Sequence, residues 1–81
     1  MTVTSMRFFA AARAAVGHDE VTVDGPTLDD ALRSVTAADP ARWTALQERC
    51  SYLVDGVTTR DRSTSLDGVG TVDVMPPFAG G

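Results

Sequence analysis

The sequence contains no lysine; all 7 basic residues are arginine. This absence excludes a P-loop lysine, a Schiff-base lysine and self-conjugation through a lysine side chain. The chain therefore cannot hold ATP by a P-loop, and activation of its own groups falls to another protein. Cysteine is as scarce: Cys50 is single, so no intramolecular disulfide or cysteine-rich zinc site can form. A lone thiol fits a reducing cytoplasm, the expected location. Long apolar runs are missing as well. Phe8-Phe9-Ala10-Ala11-Ala12 is cut by Arg13, too short for a signal segment or a membrane span. Positive charge is in deficit: 11 acidic residues leave a formal charge of -4. That balance argues against nucleic acid or anionic membrane as a partner and suits steering toward basic enzyme surfaces.

What remains is a single domain of 81 residues with 43% hydrophobic content, able to bury roughly 60–65% of its unfolded surface. Residues 3–9 alternate and are rich in strand formers, which places Met6 and Phe8 inward with Thr4, and Arg7 and Phe9 outward. Residues 10–16 read as a short helix closed by Gly17. Residues 20–24 alternate again, with Val21 and Val23 inward, and Gly25-Pro26 ends that strand. Thr27 is suited to cap a helix, with Asp30 in the position of a capping-box acid. Leu28, Ala31, Leu32 and Val35 then follow at helical spacing. Asp39 caps a further helical stretch with Pro40 at its first position, and Trp43, Leu46 and Cys50 share its face. Residues 52–54 and 57–60 flank Asp55-Gly56, a two-residue hairpin signal. After a polar loop over residues 60–65, residues 71–75 form the last strand, with Val72 and Val74 inward and Thr71, Asp73 and Met75 outward. Strands at both ends with helices between imply an α+β sheet covered by helices on one face.

The segment Met75-Pro76-Pro77-Phe78-Ala79-Gly80-Gly81 gives the sequence its functional direction. Prolines lack N–H groups and hold an extended conformation, so Pro76 and Pro77 end the last strand. Glycine has no Cβ, so Gly80 and Gly81 can enter a channel that excludes side chains. A folded body over residues 1–75, a stiff exit and a slender tail over residues 76–81 are the expected organisation.

This ending, together with Met6-Arg7-Phe8-Phe9-Ala10 and the order of elements, resembles the small subunit of molybdopterin synthase, a ubiquitin-like sulfur carrier. Relatives of that family feed sulfur to thiamine or cysteine synthesis. The resemblance implies a β-grasp fold with the last strand beside the first, and a non-catalytic carrier for molybdenum cofactor biosynthesis. It also implies a C-terminal carboxylate on Gly81 that is adenylated and then converted to a thiocarboxylate. No cofactor is bound in that scheme; ATP is used by a partner adenylating (E1-like) enzyme. The other implied partners are the large catalytic subunit of molybdopterin synthase and a sulfur donor protein. Gly80, Ala79, Phe78, Pro77 and Pro76 would lie in the partner's channel, with Phe78 as an apolar anchor. Met75, Phe9, Arg7 and Thr58 are carried over as docking residues on the outer sheet face.

Two rival readings are a protein modifier joined to lysines of targets through Gly81, and a passive β-grasp binding module without tail chemistry. His18 follows a glycine with no second ligand near it in sequence and reads as a surface residue. Cys50 reads as a small buried hydrophobe. Asp19-Glu20 and Asp29-Asp30 read as solvated or capping groups, the latter placed where a helix's first turn favours negative charge.

Overall fold

The computed structural model describes residues 3–77. Strand β1 (Thr4–Phe8) is followed by helix α1 (Ala11–Val16), β2 (Glu20–Val23), α2 (Leu28–Ser34), α3 (Pro40–Gln47), β3 (Ser51–Val54), β4 (Val57–Thr59) and β5 (Thr71–Met75). The strands form one mixed sheet in the order β2-β1-β5-β3-β4. β1 and β2 are antiparallel, β1 and β5 parallel, and β3 runs antiparallel to both β5 and β4. The last strand lies beside the first, at the centre of the sheet.

Alternation sets the inner face. Met6 and Phe8 from β1, Val72 and Val74 from β5, Tyr52 and Val54 from β3, and Val23 from β2 are buried. Ala12, Ala15, Val16, Leu28, Ala31, Leu32 and Trp43 of the helices, with Cys50, Leu66 and Val69 of the connections, complete the core. Phe8 and Trp43 meet edge to face, with ring centroids 5.5 Å apart, the arrangement the ring quadrupoles favour. Thr4 is the one polar residue in this interior among the described residues, and its hydroxyl donates to the Val69 carbonyl at 2.9 Å.

Helix α2 begins as its sequence dictates. The Asp30 N–H donates to the Thr27 hydroxyl oxygen, and that hydroxyl donates back to the Asp30 carboxylate, a closed capping pair. Two further N–H groups of its first turn, those of Leu28 and Asp29, donate to the Thr64 and Arg62 carbonyls. The loop over residues 60–65 thus serves as an extended cap. Asp29, in the first turn as expected of a solvated or capping group, also holds the same loop through Arg62 and pairs with Arg33 one turn on. Asp39 caps α3 through the Arg42 N–H.

Boundaries differ from the sequence-based expectation at several places. β1 ends at Phe8 rather than Phe9 because Ala10 turns at φ 51°, and α1 starts at Ala11. Val35 is extended at the C-terminus of α2, where its own N–H donates to Leu32. Cys50 lies beyond α3 in the turn into β3, buried although not helical. β2 ends at Val23 rather than Asp24, β3 starts at Ser51 rather than Tyr52, and β4 ends at Thr59 rather than Arg60.

Candidate functional site: the outer face of the sheet

The face opposite the helices carries the outward residues of every strand. Register aligns Glu20, Arg7, Asp73, Leu53 and Thr58 in one row across β2, β1, β5, β3 and β4. Met75 sits across from Ser51 at one end of β5. The parallel pairing of Phe8 with Val74 carries Phe9 and Met75 to that same end. Pro76 and Pro77 follow directly, half-buried and exposed respectively.

Arg7 stands second in the row, between Glu20 and Asp73. Its Nε–H donates to Asp73 Oδ1 at 2.6 Å and its Nη2–H to Oδ2 at 3.0 Å, a bidentate fork. Hydrogen bonding to Asp73, reinforced by the charge of that carboxylate, raises the Arg7 pKa above its ordinary value. The guanidinium carbon lies 6.0 Å from the Phe9 ring centroid, at the outer limit of a cation–π contact. Phe9 is 40% exposed. The structure thus joins Arg7, Phe9 and Met75 on one surface, while Thr58, exposed on the edge strand, lies at the far side of the row.

Leu53 and Asp73 are central to this surface, and neither was singled out as a docking residue. For Leu53 the signal was available: inward Tyr52 and Val54 leave a leucine outward between them. For Asp73 the outward position was legible, but its pairing with a residue 66 positions away was not.

Phe78, Ala79, Gly80 and Gly81 lie outside the described residues. Cys50 is buried, and burial pushes its thiol up to about 11. It is therefore protonated near neutral pH and poorly nucleophilic. Burial likewise raises the Tyr52 phenol to about 12, and its hydroxyl donates to the Gln47 carbonyl at 2.9 Å. His18 is exposed after the turn that ends α1. Among the described residues no cluster of three or more His, Cys, Asp or Glu side chains is placed to hold a metal ion. No helix among them is long and apolar enough to cross a membrane.

A mixed five-stranded sheet with its last strand central, helices on one face and an exposed opposite face defines a small ubiquitin-like β-grasp protein. Residues 6–81 match the ThiS family, and the chain belongs to that family of ubiquitin-like sulfur carriers. The solution structure of small archaeal modifier protein 1 (SAMP1) from Methanosarcina acetivorans is similar to this fold with a TM-score of 0.65. That likeness covers 100% of this chain and 98% of the archaeal one at 20% sequence identity, and it establishes the shared fold. No match is found among curated proteins. Small carriers of this kind are non-catalytic and work with E1-like and catalytic enzymes.

Proposed function

We propose that this protein is the small subunit of a molybdopterin synthase and carries sulfur as a thiocarboxylate on Gly81. The observation that supports this most is the exit of the chain. β5 lies at the centre of the sheet and runs straight into Pro76-Pro77, beside Phe9 and Met75 on the exposed face. A partner that grips this face therefore receives residues 76–81 as a tail at a fixed point. The match to the ThiS family extends through the tail to residue 81.

A carboxylate is a poor electrophile because its oxygen leaves badly. An adenylating enzyme that joins the Gly81 carboxylate to AMP, releasing pyrophosphate from ATP, creates a good leaving group. Sulfide from the sulfur donor then attacks the acyl carbon and displaces AMP, which leaves the thiocarboxylate on Gly81. Gly81 carries the reacting carbon, and Gly80, Ala79 and Phe78 lie in the channel. Pro76 and Pro77 keep the thread extended, while Met75, Phe9 and Arg7 dock on the enzyme. The large catalytic subunit takes up the sulfur for molybdenum cofactor biosynthesis. Cys50, buried and protonated, has no part in the transfer.

A second reading is favoured by the likeness to an archaeal modifier protein: Gly81 could form isopeptide bonds with lysines of other proteins. The absence of lysine here directs such conjugation to separate targets. Intact mass spectrometry of the protein from its native host separates the readings. Replacement of one terminal oxygen by sulfur is the expected result. Branched adducts on other proteins would favour the modifier, and an unchanged terminus under conditions of active cofactor synthesis would remove the carrier reading. Sulfur on the tail without affinity for a molybdopterin synthase large subunit would move the protein to thiamine or cysteine synthesis.

A further inference from the structure

Three charged residues stand in the row across the outer face: Glu20 on β2, Arg7 on β1 and Asp73 on β5. They are not equivalent. Both oxygens of Asp73 accept from Arg7, and the Asp73 side chain is only 16% exposed. Those two charges neutralise each other inside the face. Glu20 is exposed and directly opposite Arg7 in the antiparallel register. Among the described residues it has no ion-pair partner within 4.0 Å, since Arg7 is turned to Asp73. Its neighbour in sequence, Asp19, is paired with Arg13. The row therefore carries one uncompensated negative charge, on the strand that forms the edge of the sheet.

A partner covering Phe9, Leu53 and Met75 must also meet this edge. A carboxylate brought toward Arg7 would come between Asp73 and Glu20, where like charges repel it. An uncharged surface would strip water from Glu20 and leave the charge unanswered, which is costly. A basic side chain satisfies Glu20 and leaves the Arg7–Asp73 fork intact. The chain's overall charge of -4 steers encounter in the same sense.

We infer that the adenylating enzyme, docking on the outer face, presents an arginine or lysine to Glu20, beside an apolar surface that takes Phe9, Leu53 and Met75. Glu20 thereby fixes the rotational register in which the tail is offered. This rests on the reading of the outer face as the docking surface.

The test measures association of the full chain with the purified adenylating enzyme of the same organism, at low and high salt. Wild type is compared with Glu20→Gln, Glu20→Arg, Glu48→Gln and Phe9→Glu, each checked by circular dichroism. Glu48 is exposed at the end of α3 and changes total charge equally, away from the face. A partly exposed pair supplies up to about 1 kcal/mol, so Glu20→Gln should weaken binding about 5-fold, with Glu20→Arg weaker still. Both variants should also show less salt dependence than wild type, and Glu48→Gln should bind as wild type does. If Glu20→Gln binds normally, or Glu20→Arg binds more tightly, while Phe9→Glu is impaired, the basic contact is refuted and the docking face stands. Equal losses for Glu20→Gln and Glu48→Gln would reduce the effect to total charge and also refute it. A folded Phe9→Glu variant that binds normally would overturn the docking face itself, and the inference with it.

Discussion

Ala10 carries the sharpest local conflict between residue and backbone. Its φ of 51° and ψ of -124° place it at the first central position of a type II′ turn, where glycine is preferred. The turn is closed by the Ala12 N–H donating to the Phe9 carbonyl at 3.0 Å. It swings the chain from β1 into α1 and leaves Phe9 at the corner, exposed beside Arg7. A Cβ in such a region costs on the order of 1–3 kcal/mol. Glycine would relieve this while giving the unfolded chain more freedom, which offsets about 0.4–1 kcal/mol. Ala10→Gly should therefore stabilise the fold by about 1 kcal/mol and raise Tm by about 4–8 °C for a domain of this size. A thermal melt decides it: an unchanged or lower midpoint would show that the turn is not strained. Periodicity alone reads this alanine as the start of a helix, because a positive φ at a non-glycine residue leaves no mark in the sequence.

The β3–β4 hairpin shows the same division at the scale of an element. Asp55 and Gly56 have φ of 47° and 87°, the paired positive angles of the tight hairpin that Asp-Gly favours. The hairpin was legible because this dipeptide stands between two runs of strand formers. What the Asp55 side chain does was not. Its carboxylate accepts from the Thr71 N–H at 3.0 Å and the Gly70 N–H at 3.1 Å, and its own N–H donates to the Thr71 carbonyl at 2.9 Å. The hairpin tip thus pins the start of β5, the strand that leads to the tail. Asp55→Ala removes the acceptor and puts a Cβ-bearing residue without a local hydrogen bond at positive φ; both N–H groups are exposed and turn to water, so the loss is about 0.5–1.5 kcal/mol, the net worth of such a bond. Asn tolerates that conformation and keeps one acceptor oxygen, so Asp55→Asn should lose less. Urea denaturation should rank wild type above Asn above Ala, and an alanine variant as stable as wild type would dismiss the tether. Caps and alternation are local, so the Thr27 cap, the Asp39 cap and the inward faces of β1 and β5 could be read along the chain. Strand order, the parallel neighbourhood of β1 and β5 and the Arg7–Asp73 fork join residues far apart, and no local pattern encodes them. The family resemblance, not periodicity, supplied the placement of β5 beside β1.

At the scale of the whole molecule, the proposed function makes the body a holder for its own end. In that reading the central strand, the proline pair and the proposed docking face set where the last residues begin, and the chemistry needs a carboxylate at Gly81 at a fixed reach. Appending one alanine keeps a terminal carboxylate but carries it about 3.3–3.6 Å further in extended chain. Deleting Gly81 shortens the reach by the same step. A misplacement of about 1 Å can already cost 10²-fold in rate, so both variants should be nearly inert to ATP-dependent adenylation by the cognate enzyme. Neither change touches the buried core of Met6, Phe8, Leu28, Leu32, Tyr52, Val72 and Val74, so their thermal midpoints should match wild type. Loading and melting must be measured on the same preparations, because a destabilised body would also load slowly. Equal loading of wild type, the extended chain and the shortened chain would mean that the terminus is ordinary slack, and the carrier function would fall. Loss of loading with unchanged melting and unchanged docking would place the defect at the reacting end, where the proposal puts the chemistry.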